Sequence, residues 1–155
     1  MRLAPLLVKL AVPVASVLLL VELGCGNGTS PGADLPYVSA TRSCGPADGP
    51  QTVIDFNRDP PGTRRVDPVF PYVFIVIDRS LAGLVGTWSV SPSGPEANAV
   101  YAPNLNTRLD GVGSITVTRV AADDTVVGRM DILFGAQHAV REFTAAWVPS
   151  TVACG

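Results

Sequence analysis

Alternation with a period of two, broken every few residues by glycine or proline, limits this chain to strands. Val126, Gly128, Met130, Ile132 and Phe134 alternate with Val127, Arg129, Asp131 and Leu133. Successive side chains of a strand point to opposite faces, so this spacing predicts one covered face and one wet face. Residues 115–120 (Ile-Thr-Val-Thr-Arg-Val) have the same character, and Ala121-Ala122-Asp123-Asp124 reads as the turn of a hairpin joining the two. After residues 135–138, where His138 is expected in an exposed turn without a partner, Arg141, Phe143, Ala145 and Trp147 share one face of a further strand. Glu142 and Thr144 lie on the other face.

Upstream, residues 52–56, 72–77 and 84–90 read as strands, with a weaker one at 98–101. The run Tyr72-Val73-Phe74-Ile75-Val76-Ile77 is apolar throughout, as expected of a strand covered on both faces. Asp59-Pro60-Pro61-Gly62 and Asp67-Pro68 argue against regular structure between the first two, because proline fixes φ and lacks an N–H. No stretch of ten residues beyond Ser30 shows helical spacing. The pattern predicts an all-β domain, a sandwich or small barrel of about six to eight strands. Val53, Phe74, Val76, Trp88, Val90, Tyr101, Ile115, Val117, Ile132, Phe134, Phe143 and Trp147 are the expected core.

The N-terminus follows different rules. Arg2 and Lys9 precede an apolar run over residues 10–21 that is shorter than the ~20 residues a membrane-spanning helix needs. A basic start and a short apolar core mark an export signal. Setting aside Arg2, Lys9 and Glu22, nine of eleven cations and twelve of thirteen acids remain, a net charge of −3. Arg64-Arg65 is the only adjacent basic pair. Nucleic acid is therefore not an expected partner.

Three cysteines are an odd count for an exported protein, and one of them needs a separate fate. Cys25 follows the apolar run directly, in Leu20-Val21-Glu22-Leu23-Gly24-Cys25. This segment resembles the lipobox of bacterial lipoproteins, with Gly24 as the small residue before the cysteine that receives diacylglycerol. Glu22 stands where that family usually carries an apolar residue. The resemblance covers about the first 25 residues and implies export and a membrane anchor, with no activity attached. Residues 26–33 are small, polar and rich in Gly and Pro, which suits a tether. Cys44 and Cys154 are then left to pair as a disulfide bracketing the domain, with chain-entropy stabilisation near ~4–5 kcal/mol. The expected organisation is a signal peptide at 1–24, a flexible tether at 25–43 and an all-β domain at 44–155.

No motif for chemistry is recognised. A Gly-x-Ser-x-Gly elbow is absent, as is a Cys/His pair, and His138 is the only imidazole. Asn104, Asn106 and Asp110-Gly111 miss the register of a calcium loop and read as an ordinary loop. Asp55, Asp59, Asp67 and Asp78 sit at strand ends or beside proline, where Asp commonly closes turns. The expected protein is an envelope lipoprotein, a non-enzymatic binding or structural module without metal or cofactor, facing an oxidising extracytoplasmic compartment. The competing expectation is a hydrolase, or a hydrolase inhibitor, with an Asp-lined groove.

Overall fold

A computed structural model describes residues 30–45, 49–61, 69–151 and 154. Cys25 and the signal segment lie outside the described residues, as do Arg64, Arg65 and Asp67. Eight strands form: β1 (Tyr37–Cys44), β2 (Pro50–Asn57), β3 (Tyr72–Ile77), β4 (Gly86–Val90), β5 (Ala97–Asn104), β6 (Thr107–Val120), β7 (Val126–Phe134) and β8 (Gln137–Val148). They close into a barrel in the order β1-β2-β3-β5-β4-β6-β7-β8, with β5 also paired to β6. The all-β expectation therefore resolves to a barrel rather than a sandwich.

Neighbouring strands are antiparallel except at two places. One is a single bridge between β4 and β5, Val90 opposite Ala97. The other is the closing seam, where β1 runs parallel to β8 with Ser39, Ala40 and Thr41 opposite Ala146, Trp147 and Val148. β1 occupies residues 37–43 of the stretch expected as a tether. Val38 and Ala40 are buried in the wall, and Leu35 is fully buried ahead of them. Ser39, Thr41 and Pro36 mask that alternation in the sequence.

The barrel has two distinct ends. At the first, the chain enters through a turn over residues 30–35 that covers the opening with Leu35. Arg141, on an inward-facing position of β8, donates to the carbonyl of Leu35 at 2.7 Å and to that of Gly32. Its guanidinium lies 5.3 Å from the centroid of the Phe56 ring. Burial lowers the pKa of this arginine from its ordinary value. Ser30 also donates to the His138 carbonyl at 2.9 Å, so the entry turn is fastened to β8 twice over. At the second end, Cys44 and Cys154 form the expected disulfide, with Cα atoms 5.5 Å apart and 110 residues between them in sequence.

The interior is filled with side chains. Ile54, Phe56, Val73, Ile75, Ile77, Ile115, Met130, Ile132 and Phe134 are fully buried. Phe143 meets Phe56 edge to face at 5.6 Å. Gly128 makes that contact possible: it faces Phe143 across β7 and β8, and a Cβ there would come within 2.7 Å of the Phe143 ring.

The expected core is correct for β5 to β8 but inverted on β2 and β3. Thr52, Ile54 and Phe56 point inward, whereas Val53 and Asp55 face out; Val73, Ile75 and Ile77 point inward, whereas Phe74 and Val76 face out. β3 is thus covered on one face only, and its outer residues are half-buried. Trp88 and Trp147 have inward parity but sit at the barrel rim, half-buried against the core. The inverted faces give a direct test. Ile54→Ala should lower the free energy of urea unfolding by about 2–5 kcal/mol. Val53→Ala should lower it by no more than about 1 kcal/mol. Equal losses would mean that β2 has no such polarity.

Candidate functional site

The second end of the barrel carries the cleft with the most distinctive chemistry. Strand pairing places Arg42 of β1 opposite Thr52 of β2, and Thr52 opposite Ile77 of β3. Arg42 and Thr52 both have inward parity, but Arg42 lies far enough along β1 to clear the packed interior and stand exposed at the rim. The seam brings Trp147 beside Ala40, two positions before Arg42 on the same face. Leu81 and Ala82, from the short helical turn Leu81–Gly83, and Ser80 face them across the opening. Together with Pro50 and Gln51 these residues line a cleft of about 400 Å³.

The polar groups at this mouth differ in how they are engaged. Thr52 is 1 % exposed and donates to the Arg79 carbonyl at 2.9 Å. Gln51 donates through Nε2 to Asp78 Oδ1. Arg79 donates to the Asp78 carbonyl at 2.7 Å and holds its guanidinium 4.8 Å from the Trp88 ring centroid. Trp88 in turn donates from Nε1 to the Leu84 carbonyl at 2.9 Å. A second cleft of about 340 Å³, lined by Gly45, Gly49, Asp78 and Arg79, shares Pro50, Gln51 and Ser80 with the first. Among the described residues, the Arg42 guanidinium has neither an ion pair nor a hydrogen bond, and it is the only charged group lining the larger cleft.

Elsewhere the expected site residues are dispersed. Asp55 lies mid-strand on the outer wall between Ser39 and Phe74, and Asp78 follows β3 at the disulfide end. Phe74 and Asp78 are four strand positions apart, roughly 13 Å, which exceeds the carboxylate spacing of glycoside hydrolysis. Asp59 lies past the end of β2, towards the entry turn. Asn104 and Asn106 form the β5–β6 hairpin turn, where the Asn104 carboxamide accepts from the Asn106 N–H at 3.0 Å. Asp110 and Gly111 belong to β6 rather than to that loop. His138 is exposed but opens β8, and its Nε2 lies 2.8 Å from Asp131 Oδ1, so it has the partner it was expected to lack. Among the described residues, no group of three or more His, Cys, Asp or Glu side chains could hold a metal.

The outer wall around Asp55 is unusual in being aromatic. Phe70, Tyr72 and Phe74 form a ladder with ring centroids 5.4 and 6.1 Å apart, and Arg108 lies 5.8 Å from the Phe74 ring. The ladder's strand neighbours Val100 and Ala102 are buried on the same outer face. In that surrounding, burial pushes the Asp55 carboxyl from 3.8 up to about 6. The sequence carried a signal for this: Asp55 shares a face with Val53, which argues that this face of β2 is not core.

Compared with protein-family models, curated proteins and solved structures, the chain matches none. The cleft is therefore defined by its own residues.

The shifted carboxyl has a measurable consequence. The folded state binds the Asp55 proton more tightly than the unfolded state, so the stabilisation is complete below about pH 4 and is lost as pH rises through about 6. Asp55→Asn should therefore be more stable than the parent at pH 7.5, by about 1–3 kcal/mol, and lose that advantage by pH 3.5. Urea unfolding across this range measures the difference. An advantage that does not change with pH would contradict a buried, weakly solvated carboxyl.

Proposed function

We propose that this chain is an envelope lipoprotein held at a membrane through Cys25, whose barrel is a non-enzymatic binding module. The supporting observation is the polarity of the barrel. The chain enters at one end, at the Ser30–Arg141 fastening, and the Arg42–Trp147 cleft opens at the other. Ser30 lies five positions after Cys25, a reach of at most about 18 Å when fully extended. A lipid on Cys25 would hold the entry end close to the bilayer and turn the cleft towards the aqueous compartment.

The disulfide is compatible with an oxidising extracytoplasmic compartment, which a signal segment and lipobox also require. Anchoring by one modified residue also explains how three cysteines can serve two purposes. A binding role is favoured over hydrolysis because Asp55 and Asp78 are held apart, while the larger cleft offers a cation, an indole and hydroxyl groups.

Labelled palmitate fed to a bacterial host expressing the full-length chain should be incorporated, and the protein should sediment with membranes. Cys25→Ala should abolish both. Label that persists in Cys25→Ala would overturn the anchor.

A further inference from the structure

We infer that the Arg42–Trp147 cleft binds a compact organic anion, a carboxylate attached to a flat apolar ring. The inference rests on reading the barrel as a binding module and names the ligand class of its mouth. Three observations carry it.

First, charge is unbalanced at the cleft. Arg42 is the one charged residue in its lining, and its guanidinium has no partner among the described residues. The nearby acid, Asp78, is already engaged by Gln51 and belongs to the adjoining cleft. A guanidinium presents paired N–H donors that match a carboxylate in a bidentate fork.

Second, the wall is apolar and planar where the ligand body would lie. Trp147 pairs with Ala40, two positions before Arg42 on the same face of β1, and lines the cleft with Arg42, Leu81, Ala82 and Pro50. Indole is a good surface for stacking an aromatic ring. The volume of about 400 Å³ falls at the lower end of the range for small-molecule sites, and barrel mouths are common places for them.

Third, the depth is limited. Thr52, Ile54, Ile77 and Leu84 seal the barrel behind the mouth, each 0–1 % exposed. A long acyl chain has no channel to enter, so the ligand must be short and lie across the rim.

The test uses protein produced from the full-length chain and three probes of matched shape: 2-naphthoate, 2-naphthalenemethanol and 2-naphthylmethylammonium. The indole Nε1–H signals of Trp147 and Trp88 are followed by ¹H–¹⁵N NMR. Naphthoate should move the Trp147 signal saturably, with affinity roughly tenfold or more above that for the alcohol, and the ammonium should bind more weakly than the alcohol. Arg42→Gln should reduce naphthoate affinity to that of the alcohol. Arg108→Gln, on the outer wall, should leave it unchanged. Equal affinity for naphthoate and the alcohol would refute the anion assignment, as would an Arg42→Gln variant that still prefers naphthoate. A Trp147 signal unmoved by all three probes would refute the ligand site altogether. None of these outcomes alters palmitate incorporation at Cys25, so the failure of the ligand assignment and that of the anchor are read separately.

Discussion

The parallel seam between β1 and β8 is the contact on which the rest of this structure depends. Seven of the eight strands could form an open, twisted sheet in the order β2-β3-β5-β4-β6-β7-β8. Such a sheet would leave β8 as an edge, with unpaired N–H and C=O groups along an apolar inner face. β1 removes that edge by pairing with β2 on one side and β8 on the other. The two strands of the seam are far apart in sequence, so closing it carries the largest loop entropy in the fold. The disulfide acts at that point: Cys44 ends β1, and Cys154 follows β8 by a few residues. It removes entropy from the unfolded chain at the strand pair that costs most to bring together.

Closure also explains the two ends. A closed barrel of eight strands leaves an interior just wide enough to be packed by side chains, and here large aliphatic and aromatic residues fill it. The ends must then be finished separately. One is capped by Leu35 and by Arg141 donating to two backbone carbonyls, which satisfies an inward cation without a carboxylate. The other is left with Arg42 and Trp147 on the rim, where inward parity continues past the packed interior. The cleft arises because β1 extends beyond the core at this end, and no separate insertion is needed to build it.

β7, the second half of β6 and most of β8 are legible with their buried faces, because strict alternation in Val126–Phe134 and in Arg141 to Trp147 identifies them; the first half of β6 and the start of β8 at Gln137 and His138 read as loop. β2 and β3 were legible as strands but not as faces. Every residue of β3 is apolar, so hydropathy cannot choose between its sides, and the choice rests on Asp55 and on Asp78 just beyond the strand. β1 is hidden in the sequence because Ala40 and Val38 are its only apolar inward residues and the Gly- and Pro-rich stretch before it conceals its start. The cleft was not legible at all. Arg42 falls in the stretch read as a tether, Trp147 looks like core, and their proximity depends on a parallel pairing across the full length of the domain. In the sequence His138 reads as a lone turn residue because its partner, Asp131, lies on the preceding strand, one diagonal step away.

Amide hydrogen exchange of the oxidised protein distinguishes β1 as a wall of the barrel from β1 as part of a tether. The amides of β1 that bond to β2 and β8 should exchange as slowly as those in the middle of β7, through global unfolding. Exchange across residues 37–44 at the rate of an unstructured peptide, with β7 still protected, would contradict the closed barrel and remove the cleft with it.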